Sequence, residues 1–522
     1  MKNLLFLIVL ITISCSPQEY DLVILNGSII DGNNKEAFQS DIGIKDGLIM
    51  KVGLVGKYTT RETIDASGLI VAPGFIDLHT HLEPLTNMPE AQSHVMQGVT
   101  TALGGPDGSS PWPFGAYLSK LDSTGVGLNV GYLVGHNTVR RNIMKLDNRA
   151  PTSAELDSMK LQIGQGMDEG AFGISTGLKY LPGTFSKVDE VIELSAVAAD
   201  KGGFYTSHLR EEGLGLLDAV AEAIDIGRKA NIPIVLTHHK VVGKPMWGKS
   251  SQTLAMVDSA NAAGLDIMID QYPYTASHTG IGILIPTWAR AGGNDEFKKR
   301  INDPQLRDSI KQGIIFNIIN DRGGDDLNRV QFSRVRWNKD LEGKRLKDWA
   351  LMEGLDPTVE NGAELVIKAQ LNGGANCIFH AMDEEDVKAI MKHPKTMIAS
   401  DGRLNELGDG HPHPRAYSTF PRVLGHYARD EKVIPLHTAV HKMTGLPAER
   451  MGLTDRGVIE EGKQADITIF NAETIIDKAT FLKPHQYPQG IIHVLVNGNL
   501  SVKEGQFLNQ RNGEVLRGPA IK

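Results

Sequence analysis

Val71-Ala-Pro-Gly-Phe-Ile-Asp-Leu-His-Thr-His-Leu-Glu83 is an apolar run that ends in two histidines one residue apart. Read as a buried strand, the run places residues i and i+2 on one face, so His79 and His81 converge on a single point. Two neutral imidazoles aimed at one point suit a divalent metal. The plain alternative is a pair of strand-end histidines hydrogen-bonded to loop carbonyls. The rest of the chain has to decide between them.

Outward from this stretch, buried-type strands alternate with helical patterns, as in βα units. Eight such strands are read: 74–78, 100–103, 130–134, 171–175, 203–206, 233–236, 266–269 and 396–399. The expected fold class is therefore α/β, a (β/α)8 TIM-like barrel over residues 73–455, with its chemistry at the C-terminal strand ends. The seventh and eighth strands lie far enough apart to require an insertion at about 290–375, a candidate lid. Residues 15–72 and 456–522 alternate short β-rich runs with glycine turns. Neither is long enough for its own core, so the two ends are expected to form one small antiparallel β-sandwich domain.

Composition narrows the classes. The 522 residues carry a net charge of −8 with no dense basic block, which gives no reason to expect nucleic acid. At the start, Met1-Lys2-Asn3 precedes a short apolar run, Leu4 to Ile13, too brief to span a bilayer. Ser14 and Cys15 follow. This arrangement resembles a bacterial lipoprotein signal over residues 1–14, with a lipid on Cys15 as the only membrane attachment; plain secretion with a cut nearby is the other reading. The expected location is periplasmic or outer-membrane. Cys377, the only other cysteine, lies in an apolar run and reads as a small core residue.

The strand ends sharpen the opening question. His79 and His81 follow strand one, Asp107 strand two, His136 strand three and Tyr180 strand four. His208 and Arg210 follow strand five, His238, His239 and Lys240 strand six, Tyr272 strand seven and Asp401 strand eight. Core packing would not select such residues, because buried ionisable groups are costly unless paired or metal-bound. Their recurrence on one face predicts a metal site.

The segments GFIDLHTH, QGVTTALGG, GAFGISTGLKYLPG, GGFYTSHLREEG, IPIVLTHHKVVG, DQYPYTAS, IASDG and HPHPRAYSTFPRVLG cover nearly the whole chain beyond the first residues. Together they resemble the N-acyl-D-amino-acid deacylase (D-aminoacylase) family of the metal-dependent amidohydrolase superfamily. The resemblance implies one or two Zn2+, with His79 and His81 at one position, His208 and His238 at the other, and Asp401 facing the first. Asp107 stands where the family commonly has a metal-bridging cysteine, and a carboxylate can also bridge cations. The resemblance also gives Lys240, Tyr272 and Arg415 to the substrate carboxylate, with Tyr180 lining the pocket.

Amide hydrolysis needs an activated water and a proton for the departing nitrogen. Asp401 is the candidate proton carrier, a role compatible with being a ligand. His136 is a candidate donor to the reacting oxygen, with a structural role at the third strand end as the alternative. Arg210 could pair with Glu211 or Glu212, His239 is expected to point away from His238, and His411 and His413 are read as loop-forming. The leading function is hydrolysis of N-acyl-D-amino acids. A dipeptidase, a cyclic-amide hydrolase and a non-catalytic ligand-binding surface lipoprotein are the alternatives.

Overall fold

The computed structural model describes residues 17–322 and 324–521, so the expected signal segment over 1–14 and Cys15 lie outside the described residues. The two chain ends share one nine-stranded sheet. Its joint is Ile70–Pro73 against Ile467–Phe470, antiparallel, with Val71 opposite Ile469. Alternation sends Ile24, Ile42, Ile44, Ile467, Ile469 and Leu495 into a common apolar layer. The sheet is mixed rather than antiparallel throughout, because Gln18–Ile29 pairs in parallel with both Tyr58–Asp65 and Ile70–Pro73. That strand runs unbroken through Gly27, where a register shift absorbs the glycine that had suggested a turn.

The parallel strands follow in chain order. Phe75–Asp77, Val99–Gly104 and Asn129–Tyr132 form one sheet. Val134–Gly135, Gly173–Gly177, Phe204–His208, Ile234–Leu236, Ile267–Gln271 and Thr396–Ile398 form the next. The third strand is interrupted only at Leu133, whose N–H donates to Gly104 at 3.0 Å. At the far edge the Asp401 N–H donates to the His79 carbonyl at 2.8 Å, and Gly402–Arg403 pairs with Thr80–His81. One buried cluster draws a side chain from each of eight successive segments: Ile76, Leu103, Leu133, Phe172, Phe204, Val235, Met268 and Met397. Outside, helices such as Leu216–Ala230 bury one stripe, here Leu216, Val220, Ala223 and Gly227. That helix ends on Asn231 at φ 50°, the left-handed stop that asparagine tolerates.

The insertion is larger than expected. It opens at Ser277–Gly280, which pairs with Asn376–Phe379, itself paired with Val330–Arg334. Histidine, threonine and glycine in Ser277–Gly280 hide this strand from a hydrophobic-pattern reading. The charged stretch after Asn294 is two helices, Asn294–Asn302 and Pro304–Asn320; Pro304 breaks them, and Asp303 caps the second through Gln305 and Leu306 N–H. Ile310, Ile314, Phe332, Trp349 and Phe379 pack in a second core that the insertion shares with Val242, Tyr272 and Tyr274, and Cys377 is buried among them.

Candidate metal centre and substrate cavity

Each centre residue sits at the C-terminal end of a parallel strand, where the backbone turns away from its ladder. Three of them, Asp107, His238 and Asp401, hold φ at 54°, 35° and 47°. Non-glycine residues rarely adopt such values outside sites where the surroundings impose them. Asp107 is aimed by its glycines: Gly105 and Gly108 have φ of 76° and 75°, and a Cβ on Gly105 would sit 2.5 Å from the Leu133 carbonyl oxygen.

The side chains converge. Asp107 Oδ1 lies 3.3 Å from His238 Nε2, 3.5 Å from His208 Nδ1 and 3.6 Å from His79 Nε2. Asp401 Oδ1 lies 3.2 Å from His81 Nε2 and 3.6 Å from His79 Nε2. A tetrahedral zinc with bonds of roughly 2.0–2.1 Å spaces its ligand atoms about 3.3 Å apart, so these separations fit metal coordination. Two ligand groups result, His79, His81, Asp107 and Asp401 in one and Asp107, His208 and His238 in the other, with Asp107 common to both. Neither nitrogen of His79 nor Asp107 Oδ1 has a hydrogen-bond partner among the described residues, although all are buried. Buried polar atoms left without partners in this way point to an ion. Burial works against ionisation of Asp107, yet the imidazoles of His208, His238 and His79 hold its carboxyl well below the usual carboxylate range.

Behind the ligands stands a second set of carboxylates. Glu83 Oε1 is 3.2 Å from His81 Nδ1, Glu212 Oε1 is 3.3 Å from His238 Nδ1, and Asp270 Oδ1 is 3.6 Å from His79 Nδ1. Only Glu83 is hydrogen-bonded to the far nitrogen, and a carboxylate there fixes the tautomer of His81 and leaves Nε2 for the metal. Asp270 stands beyond hydrogen-bond reach of His79, and His238 Nδ1 is also met by the Lys240 ammonium. Asp270 also accepts the His238 N–H at 2.6 Å. The sequence reading assigned none of these three roles. Position carried the signal: Glu83 follows His81 by two residues, Glu212 follows His208 by four, and Asp270 is the penultimate residue of the strand Ile267–Gln271.

A cavity of about 390 Å³ opens over the centre. Tyr180, Lys240, Tyr272 and Arg415 line it. The Tyr180 ring lies 4.4 Å from that of His208, and the buried Tyr272 hydroxyl has no hydrogen-bond partner among the described residues. Arg415 stacks over Tyr272 at 4.6 Å; its Nη1 is 2.7 Å from Asp401 Oδ2 but outside hydrogen-bond alignment. Lys240 does not stand free, for its ammonium bonds Glu212 and reaches His238 Nδ1 at 2.7 Å.

His136 is a correction. Its ring is fully buried away from the cavity, with Nε2 2.9 Å from Glu190 and Nδ1 3.3 Å from the Asn137 amide oxygen, so it does not face a reacting oxygen. Being next to a strand end did not reveal which way the ring turned. Arg210 pairs with Glu222 rather than Glu211 or Glu212. His239 turns away to Thr253, while His411 and His413 bond the carbonyls of Phe481 and Ala276.

The sequence profile of the Amidohydrolase family matches residues 62–290 and 322–502. The chain is 35% identical over 531 residues to the D-aminoacylase of Alcaligenes xylosoxydans xylosoxydans, covering 96% of this chain and 98% of that one. A solved D-aminoacylase structure concerned with the functional role of its binuclear metal center superposes with a TM-score of 0.81 at 33% identity, over 95% of this chain and 100% of that chain. The N-acyl-D-glutamate deacylase of Bordetella bronchiseptica, solved with zinc and a phosphonate inhibitor that mimics the tetrahedral intermediate, gives 0.81 at 33% identity, over 96% and 100%.

Proposed function

This chain belongs to the amidohydrolase family, and from that premise we propose that it is an exported, zinc-dependent hydrolase. It cleaves the N-acyl amide of N-acyl-D-amino acids to a carboxylate and the free D-amino acid. The observation that carries the reading is the pair of ligand groups sharing Asp107 beneath the cavity.

His79, His81 and Asp401 would hold one ion and His208 and His238 the other, with Asp107 between them. Zinc in such a donor set supplies a water whose pKa falls to about 7 and a polarising contact for the amide carbonyl. Asp401 accepts the proton of the attacking water and delivers it to the departing nitrogen, base first and acid second. Against the upward push of burial, Arg415 and His81 hold the Asp401 carboxyl below the usual range, so it enters the reaction as a carboxylate. Tyr272 and Arg415 take the substrate's α-carboxylate, with Lys240 beside them. Tyr180, kept protonated by burial, is the neutral donor beside His208.

The eight parallel segments are read as one (β/α)8 barrel over 73–455. The reading is supported by the single interior cluster and by the contact between Asp401 and His79 that joins the last strand to the first. Residues 15–72 and 456–522 compose the smaller domain. Export and a lipid on Cys15 rest on the N-terminal pattern alone, and the mass of the mature N-terminus tests both.

The test of activity is a panel of N-acyl-D-amino acids, their L counterparts and dipeptides, assayed with zinc. Turnover of the N-acyl-D set is expected, and Asp401→Asn should lower kcat by about 10²–10⁴-fold. Amino acid released from dipeptides alone, or equal background rates in wild type and Asp401→Asn, would defeat the assignment.

A further inference from the structure

A second cavity, of about 560 Å³, opens where the barrel meets the insertion. Arg141 lies on the helix His136–Met144 and Lys145 ends it; four residues apart, they reach the cavity from the same side. Arg290 closes the short helix Thr287–Arg290 within the insertion, and Gly293 and Asn294 follow it along the wall. Tyr180 and Leu181 form a wall common to this cavity and the one above the metal centre. Leu146 completes an apolar floor with them. A Cβ on Gly293 would stand 3.4 Å from Leu146 Cδ1, so barrel and insertion meet there.

The charge on this wall has one sign. No aspartate or glutamate lines the cavity. Among the described residues each of its three cations meets only a backbone carbonyl: Arg141 that of Leu181 at 2.9 Å, Lys145 that of Asn142 at 3.2 Å and Arg290 that of Gly282 at 2.9 Å. Neighbouring cations are matched instead, Arg149 to Glu155 at 2.7 Å, Lys179 to Glu211 at 2.6 Å and Lys299 to Glu296 at 2.6 Å. Burial lowers the Arg290 guanidinium from its ordinary range, with no carboxylate to offset it. A cleft lined by one sign of charge concentrates anions, and apolar surface between the charges gains from being covered. A bare anion would leave the floor wet, and a neutral chain would leave the cations unused.

We propose that this cavity binds a free carboxylate carried on an apolar chain, as in a medium-chain fatty acid, at a site separate from the catalytic cavity. The carboxylate lies among Arg141, Lys145 and Arg290, and the chain covers Leu146, Leu181 and Tyr180.

The test is calorimetric titration of the zinc-loaded protein with hexanoate, octanoate and decanoate, beside inorganic phosphate and decyltrimethylammonium. Affinity should rise by about three- to fourfold for each added methylene, and decyltrimethylammonium should not bind. Arg290→Gln should weaken decanoate by about tenfold or more, and Lys145→Gln by about threefold. Lys145 is exposed, so that variant keeps the fold should Arg290→Gln disturb it. Leu146→Ser should flatten the dependence on chain length. Phosphate binding as tightly as decanoate, or one affinity for all three chain lengths, would overturn the proposal. So would an affinity that falls in Arg415→Ala and not in Lys145→Gln, which would put decanoate in the catalytic cavity. The titration needs no turnover, so its failure leaves the hydrolase reading standing.

Discussion

Asp107 touches both ligand groups, and its replacement tests the centre most directly. Asp107→Ala is expected to lower metal content or rate by about tenfold or more, as measured by metal analysis beside turnover. Unchanged metal and unchanged rate would remove it from the site. A residue remote from the chemistry tests the electrostatics of the interior. Lys442 is buried, its ammonium donating to the carbonyls of His393 and Thr396 at 2.5 and 2.9 Å, and burial lowers its pKa to about 8. Between pH 8 and 10.5 the unfolded chain keeps this proton while the folded chain sheds it, so stability rises with pH there; below pH 8 the full burial cost is present. Urea unfolding should therefore shift in favour of wild type over Lys442→Met by up to about 1.4 kcal/mol per pH unit across that window. A flat difference would mean that the amine stays charged.

At the scale of elements, the loop after Val99–Gly104 shows how backbone freedom aims a ligand. Gly105→Ala would force a Cβ against the Leu133 carbonyl at a positive φ. It should cost about 1–3 kcal/mol in a melting experiment and reduce zinc occupancy with it; an unperturbed variant would show that the loop is not the aiming device. The same scale explains what could be read from the sequence. His79, His81, His208, His238 and Asp401 are legible because parallel strands announce themselves as apolar runs, and the residue after each run lies on the functional face. His136 obeys that rule too, yet it opens the helix His136–Met144 and turns toward Glu190, since strand periodicity stops at the strand end.

For the whole molecule, the metal centre is also a fastening between strands. Its ligands come from five different strand ends, so stripping zinc with a chelator should lower the melting temperature. A ligand a thousandfold above its Kd stabilises by about 4 kcal/mol, which calorimetry with and without zinc would register. Identical melting curves would place the ion outside the folded framework. The joint between Ile70–Pro73 and Ile467–Phe470 has a different consequence, one of timing. Translation must produce nearly four hundred residues after the first of these strands before its partner exists, about 20–80 s at roughly 5–20 residues per second. Throughout that interval the nascent polypeptide carries an uncovered strand edge, so a chaperone that shields such edges would find its client here during synthesis.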